Sequence, residues 1–371
     1  MKIVAAKADS YHADVVANGI KEVLEKLGGL EAYINPGERI LLKPNLVEGM
    51  PPAKAVNTHP EVMRALIREV RRVGGIPLVG DSPGVSSTHK AAEKCGLLQV
   101  CQEEAADLID FGESMEISCP EGLILKKLHI AKAYTQADKV ISVAKLKTHT
   151  FMGITGATKN LFGFIVGMQK AQFHLRMQKR QEFASMLVDI ATTIKPILSI
   201  VDGIVGMEGN GPRNGTPVQA GVLLAGENCF AVDVAMASIM GFNPEDIPLT
   251  ALALKQGLTP PLAELGLTGT ARDLRLAFVA PRSMKSLEDR VPKWMAELGR
   301  AQLTARPEIA VNCIGCGRCA AHCPPKAMTV SGGRVEIDYD KCIRCYCCQE
   351  LCPEDAVNLR EGHLLKLIRR L

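Results

Sequence analysis

Two cysteine runs near the end of the 371-residue chain have a spacing that could hold metal. Cys313, Cys316, Cys319 and Cys323 follow C-x2-C-x2-C-x3-C and run into Pro324; Cys342, Cys345, Cys348 and Cys352 repeat the spacing and run into Pro353. The two copies are offset by 29 residues, and Ala327 and Ala356 keep that offset. Such a duplication predicts two pseudo-symmetric halves packed together. Three thiolates spaced two residues apart on a tight loop can take three corners of an iron–sulfur cube, while the fourth, entering a proline turn, points the other way. Zinc modules instead present two C-x2-C knuckles well apart, so the pattern favours two [4Fe–4S] clusters over a pair of zinc sites.

The segment resembles the bacterial-type two-cluster ferredoxins over roughly residues 305–360. That resemblance implies crossed ligation, with Cys313, Cys316, Cys319 and Cys352 on one cluster and Cys342, Cys345, Cys348 and Cys323 on the other. Cys347 is then spare, and its plain reading is a small residue packed beside the cluster. AMTVSGGRVEIDYD, between the halves, alternates around Gly332 and Gly333 and predicts a hairpin. LTARPEIAVN, residues 303–312, reads as a linker into residues 313–360, and the basic tail 361–371 as a short terminal helix.

Nine of the 13 cysteines lie in this region; Cys95, Cys101, Cys119 and Cys229 show no ligand spacing and read as buried thiols. Net charge is +4, from 44 basic and 40 acidic residues, and aromatics make up 4%. A nucleic-acid binder needs a stronger basic bias and more stacking platforms. We see no signal peptide and no uninterrupted apolar run of about 18 residues. The expected location is the cytoplasm, where thiols stay reduced and cysteines serve metals rather than disulfides.

Residues 1–302 alternate short apolar runs with amphipathic stretches. KIVAAKA, RILLKPNLV, IPLVGDSPG, KVISVAKLKTH, KPILSIVDG, AGVLLAG and LRLAFVA read as strands. HADVVANGIKEVLEKLG, HPEVMRALIREVRRVG, KRQEFASMLVDIATTI and FAVDVAMASIMG read as helices. The alternation predicts a layered α/β domain with a largely parallel sheet, followed by a small α+β ferredoxin-like domain.

In open α/β sheets ligands sit outside the carboxyl ends of strands, and polar residues gather there. Lys43 and Asn45 end one run, Asp81 and Ser82 another, and Lys145, Lys147, Thr148 and His149 a third; Asp202 ends a fourth. Two glycine-rich segments follow such ends, GITGATKNLFG with Lys159 and Asn160, and GIVGMEGNGPRNG with Glu208. Glycines let backbone N–H groups turn inward around an anion. Neither segment matches a phosphate-binding loop or a dinucleotide fingerprint. These residues predict a pocket for an anionic small molecule; Asp81, Asp202 and Glu208 could instead hold a divalent cation.

LLKPNLV, THPEV, GDSPG, VAKLKTH, TGATKNLFG and VDGIVGMEGNGP together resemble a prokaryotic family known as domain of unknown function 362, which often occurs fused to a two-cluster ferredoxin module. Family members tend to carry Asp-Pro before the Val-Ala-Val-Asp-like helix start, where this chain has Asn228 and Cys229. The resemblance implies an iron–sulfur protein without assigning it a substrate. The first functional reading is a reductase, fed by a ferredoxin or a reductase, in which Lys43, Asn45, Asp81, Lys147, Lys159, Asn160, Asp202 and Glu208 bind substrate. Lys145 then stabilises developing charge and His149 supplies the proton. The sequence does not exclude a flavin held without a recognisable motif. The alternative is a non-catalytic electron carrier or a redox sensor whose large domain docks a partner.

Overall fold

The structure is a computed structural model that describes residues 1–84, 86–167, 169–284 and 304–362. Fifteen strands are described: β1 (Lys2–Lys7), β2 (Arg39–Pro44), β3 (Ile76–Val79), β4 (Asp107–Leu108), β5 (Ser114–Ser118), β6 (Lys127–Ala131), β7 (Lys139–His149), β8 (Gly153–Thr155), β9 (Leu198–Glu208), β10 (Thr216–Gly226), β11 (Gly266–Thr268), β12 (Arg306–Ile309), β13 (Met328–Ser331), β14 (Arg334–Ile337) and β15 (Val357–Arg360). The described helices are α1 (Ala13–Lys26), α2 (Pro60–Arg72), α3 (Thr88–Lys94), α4 (Leu97–Glu103), α5 (Ala157–Asn160), α6 (Gln169–Arg176), α7 (Arg180–Ile194), α8 (Cys229–Ile239), α9 (Pro248–Lys255), α10 (Arg318–Ala321) and α11 (Cys347–Leu351).

The main sheet has the order β11-β1-β10-β9-β7-β2-β3-β4, with β8 paired to β7. Neighbours from β9 through β4 are parallel, as are β1 and β11, whereas β10 runs antiparallel to both β1 and β9. Period-2 alternation builds two cores from one sheet. Ile40, Leu42, Ile141 and Val143 face a layer containing Val16, Ile20, Leu66 and Val70 of α1 and α2. Leu41, Val140 and Ala144 face Phe183, Leu187 and Ile190 of α7 and Val232 and Met236 of α8. Local signals start the helices. Pro60 opens α2 after His59, whose side chain accepts from the Glu61 N–H, and Asn228 caps α8 by accepting from the Ala231 N–H. Asn228 thus meets the helix start without the family's Asp-Pro.

Two readings of the chain are corrected. LRLAFVA forms no strand: the Leu276 and Phe278 N–H groups donate to Ile239 and Met240 carbonyls at the end of α8, so its backbone is spent on a helix terminus. Residues 303–312 are more than a linker, because β12 pairs antiparallel with β15. Leu303 and the tail from residue 363 lie outside the described residues.

The C-terminal module keeps its duplication in the backbone. Gly315, Gly317 and Lys326 have left-handed φ of 62°, 72° and 51°; Arg344, Tyr346 and Asp355, each 29 residues on, have 56°, 63° and 51°. A non-glycine residue there costs roughly 1–2 kcal/mol. Contacts offset it: the Tyr346 hydroxyl donates to the Ala305 carbonyl at 2.8 Å, and Arg344 donates to the Thr304 carbonyl at 3.0 Å. The β13–β14 hairpin turns at Gly332 and Gly333, as the sequence predicts, both at positive φ, the requirement of a two-residue turn between twisted strands.

Candidate functional site

Five lysines reach the carboxyl edge of the sheet, and their partners separate them. Lys43 Nζ lies 2.7 Å from Asp81 Oδ1 and donates to Asn160 Oδ1 at 3.3 Å, with both charged side chains buried. Gly163 covers this pair so closely that a Cβ would strike Asp81. Lys145 Nζ lies 2.7 Å from Asp202 Oδ2 and donates to the Tyr11 hydroxyl at 2.7 Å; that hydroxyl donates on to Asp202 Oδ1 at 2.8 Å. Tyr11 stacks on His59, so Lys145 and Asp202 sit in a closed cluster of their own. Lys147 is fully buried and donates to the Val56 carbonyl at 2.6 Å. Burial, with Lys159 and Lys145 nearby, holds its ammonium well below the ordinary lysine range. Lys170, on α6, donates to the Ser82 and Pro83 carbonyls. Lys159 makes no hydrogen bond or ion pair among the described residues; its Nζ stands 5.6 Å from the centroid of the Phe162 ring.

A cavity of about 150 Å³ opens beside Lys159 and Lys170. Its floor comes from the sheet edge, with Asn45, Leu46, Val47, Asp81, Ser82, Thr155 and Asn160; Phe162 and His174 form a wall. Its roof comes from the cysteine module, with His322, Cys347, Glu350 and Leu351. Burial brings the Lys170 ammonium down to about 7 and the His174 imidazole to about 3. His174 is therefore neutral, and its ring stacks on Phe183 at 4.6 Å.

Of the residues expected to bind substrate, Asn45, Asp81, Lys159 and Asn160 line this cavity, and Lys43 lies directly behind it as the partner of Asp81. His149 stands behind Glu350. Its Nδ1 accepts from the Phe151 and Met152 N–H groups, which puts the proton on Nε2, 3.5 Å from Glu350 Oε1. That distance is too long to satisfy the Glu350 oxygen, which has no hydrogen-bond partner among the described residues. Burial keeps His149 well below the ordinary histidine range. The first part of the second glycine-rich segment is the end of β9, where Glu208 accepts from the Val279 N–H, and Pro212 further along it lines the cavity. Asp81, Asp202 and Glu208 have separate partners, and no group of three metal-ion ligands involving them gathers among the described residues.

The large domain and the module are tied by a polar clamp. Arg213 lies 2.9 Å from Glu48 Oε2 and 3.2 Å from Asp355 Oδ1, and donates to the carbonyl of Cys352. Arg318 meets the other Glu48 oxygen at 2.7 Å. Asn214 donates to the Gln349 carbonyl, and Gln349 donates to the Asn210 carbonyl. The clamp holds α11 against the large domain, on the roof side of the cavity.

The cysteines suit iron–sulfur ligation. Cys313, Cys316, Cys319 and Cys352 line one small hollow, and Cys323 lies within electrostatic reach of Cys345 and Cys342. In each repeat a backbone N–H aims at the fourth sulfur: Ala327 N–H to Cys323 Sγ at 3.3 Å and Ala356 N–H to Cys352 Sγ at 3.2 Å. Such donors stabilise thiolate ligands. Cys316 is the exposed cysteine of the set.

Fold and site together define an iron–sulfur electron-transfer protein, a large α/β domain with a mostly parallel sheet carrying a ferredoxin module. Residues 312–356 match the 4Fe-4S dicluster domain model, and residues 40–238 match the model Domain of unknown function (DUF362). The chain belongs to the DUF362 family. It is 37% identical over 260 residues to the thylakoid-associated protein sll1697 of a Synechocystis species, covering 70% of this chain and 80% of that protein. Shorter likenesses lie with NADH-quinone oxidoreductase subunit I of Pelobacter propionicus, at 38% over 17% of this chain and 41% of the relative. Pyruvate synthase subunit PorD of Thermotoga maritima is 37% identical over 13% of this chain and 50% of the relative. Among the described residues no helix is long and apolar enough to cross a membrane.

Proposed function

We propose that the protein is an iron–sulfur reductase whose anionic substrate sits in the cavity between the two domains. One observation carries the reading: two of the residues that roof the cavity are immediate neighbours of the second set of ligands. Cys347 lies between Cys345 and Cys348 and His322 adjoins Cys323, and both line the cavity. The ligand sets are Cys313, Cys316, Cys319 and Cys352 for one cluster and Cys342, Cys345, Cys348 and Cys323 for the other, supported by the hollow and the N–H···S contacts above. When bound, the clusters supply electrons one at a time.

The chain's own groups do the rest. Lys159 holds the anionic end of the substrate and stabilises negative charge that develops there. Lys170 donates the proton, since an ammonium that releases near neutral pH is suited to that task. It takes the role that the sequence suggested for His149, which lies behind Glu350 and does not line the cavity. The electron donor is a one-electron carrier, such as a ferredoxin or a reductase, that approaches where Cys316 and Ile314 are exposed.

The test uses anaerobic holoprotein reduced by dithionite and mixed with a panel of small organic anions. Wild type should recover its cluster absorbance with at least one of them. Ala171→Trp should not, because Ala171 lines the cavity and an indole there fills it. Equal recovery in the two proteins removes the cavity from the reaction.

A further inference from the structure

Three properties of the cavity limit what it can hold. The first is size. A volume of about 150 Å³ equals that of an engineered apolar cavity in another protein that accepts benzene, which corresponds to a ligand of roughly six to ten non-hydrogen atoms. The second is charge. Of the five lysines at the sheet edge, Lys43 and Lys145 are paired with carboxylates and Lys147 and Lys170 are hydrogen-bonded to carbonyls; Lys159 alone has no acceptor among the described residues. One negative group meets that need. Glu350, on the cavity roof, lies within electrostatic reach of Lys159 and offsets part of its charge, so a second negative charge on the ligand has no free cation to meet it. The third is polarity. Leu46, Val47, Phe162, Ala171, Pro212 and Leu351 give the cavity an apolar lining, with the Phe162 ring beneath the Lys159 ammonium.

We propose that the cavity takes a small conjugated monocarboxylate, an α,β-unsaturated or aryl acid whose carboxylate meets Lys159 and whose flat apolar body lies against Phe162. This rests on the reductase reading above. Conjugation follows from that reading, because electrons that arrive singly need a π-system able to hold the first before the second comes. For an enoate the balance is one C=C π-bond broken and two C–H bonds formed, with two electrons and two protons consumed. The electrons would come from an external one-electron carrier, and the clusters, held by the cysteines named above, would supply them singly. One proton comes from Lys170 Nζ and the other from water.

The experiment titrates intact holoprotein calorimetrically with crotonate, benzoate, benzamide and inorganic phosphate, in wild type and in Lys159→Met. Crotonate and benzoate should bind wild type at least tenfold more tightly than benzamide or phosphate, and Lys159→Met should lose at least tenfold for both acids. The class is overturned if neither acid binds, if benzamide equals benzoate, or if Lys159→Met binds the acids as well as wild type. Dithionite-reduced holoprotein is then mixed with crotonate, and butyrate is measured. Binding without cluster reoxidation would leave the ligand class standing and remove the reductase reading. Reoxidation by other anions, blocked in Ala171→Trp, with no carboxylate bound, would do the reverse.

Discussion

Arg213→Ala tests whether the clamp holds α11 against the large domain. Arg213 is buried, with its side chain 4% exposed, and Glu48 is 13% exposed. Breaking a buried pair by removing one partner costs about 3–5 kcal/mol when the other charge is stranded. Glu48 is not stranded, because Arg318 remains 2.7 Å from it, so its share falls to about 1–2 kcal/mol. The Cys352 carbonyl loses a charged donor, worth about 1–3 kcal/mol. Asp355 is 61% exposed and adds less than about 1 kcal/mol. The sum is about 3 kcal/mol in the opening of the module from the large domain. Native-state hydrogen exchange reads this directly. Protection of the Gln349 and Glu350 amides in α11, which donate to the Tyr346 carbonyl, should fall by about two orders of magnitude. Amides of β10 should be unchanged, and Arg213→Lys should lie between. A loss below about fivefold in α11, or an equal loss in β10, refutes the clamp.

Lys170 releases its proton near pH 7, so the single-turnover rate should fall as pH rises through about 7, and Lys170→Met should lack that limb. His174 is held neutral down to about pH 3, whereas an unfolded histidine takes its proton near 6.5. Its contribution to stability is therefore full above about 6.5 and is lost as pH falls toward 3, by up to about 1.4 kcal/mol per pH unit; His174→Phe should flatten that part of a denaturation profile. Cys347→Ser should keep about eight irons per chain, because it stands outside both ligand sets, while Cys352→Ser should damage the cluster of the first motif although it lies in the second. Iron analysis and low-temperature EPR separate these outcomes, and loss of a cluster in Cys347→Ser alone would shift the register by one residue.

The cysteine ladder and most of the sheet were legible because their signals are local: ligand spacing, apolar alternation and caps. The strand-end rule brought Asn45, Asp81, Lys159 and Asn160 to one place. It could not tell which lysine was already spent, since Lys145 finds Asp202 and Tyr11, and Lys147 finds the Val56 carbonyl, only once strands and loops are packed. Lys170 and His174 sit on the short helix α6, and no strand end marked them. Glu350, Cys347 and His322 enter from the other domain, and docking between domains leaves no period in a sequence. The spare cysteine was the available signal: a thiol without a ligand position sits where the module meets the cavity.

The central claim is that the substrate cavity adjoins the cluster held by Cys342, Cys345, Cys348 and Cys323. The direct measurement is fluorine electron–nuclear double resonance on dithionite-reduced holoprotein saturated with 4-fluorobenzoate. The account predicts a fluorine hyperfine coupling in the signal of that cluster, absent in Ala171→Trp. Saturating binding with no fluorine coupling to that cluster, or with coupling only to the cluster held by Cys313, Cys316, Cys319 and Cys352, would contradict it.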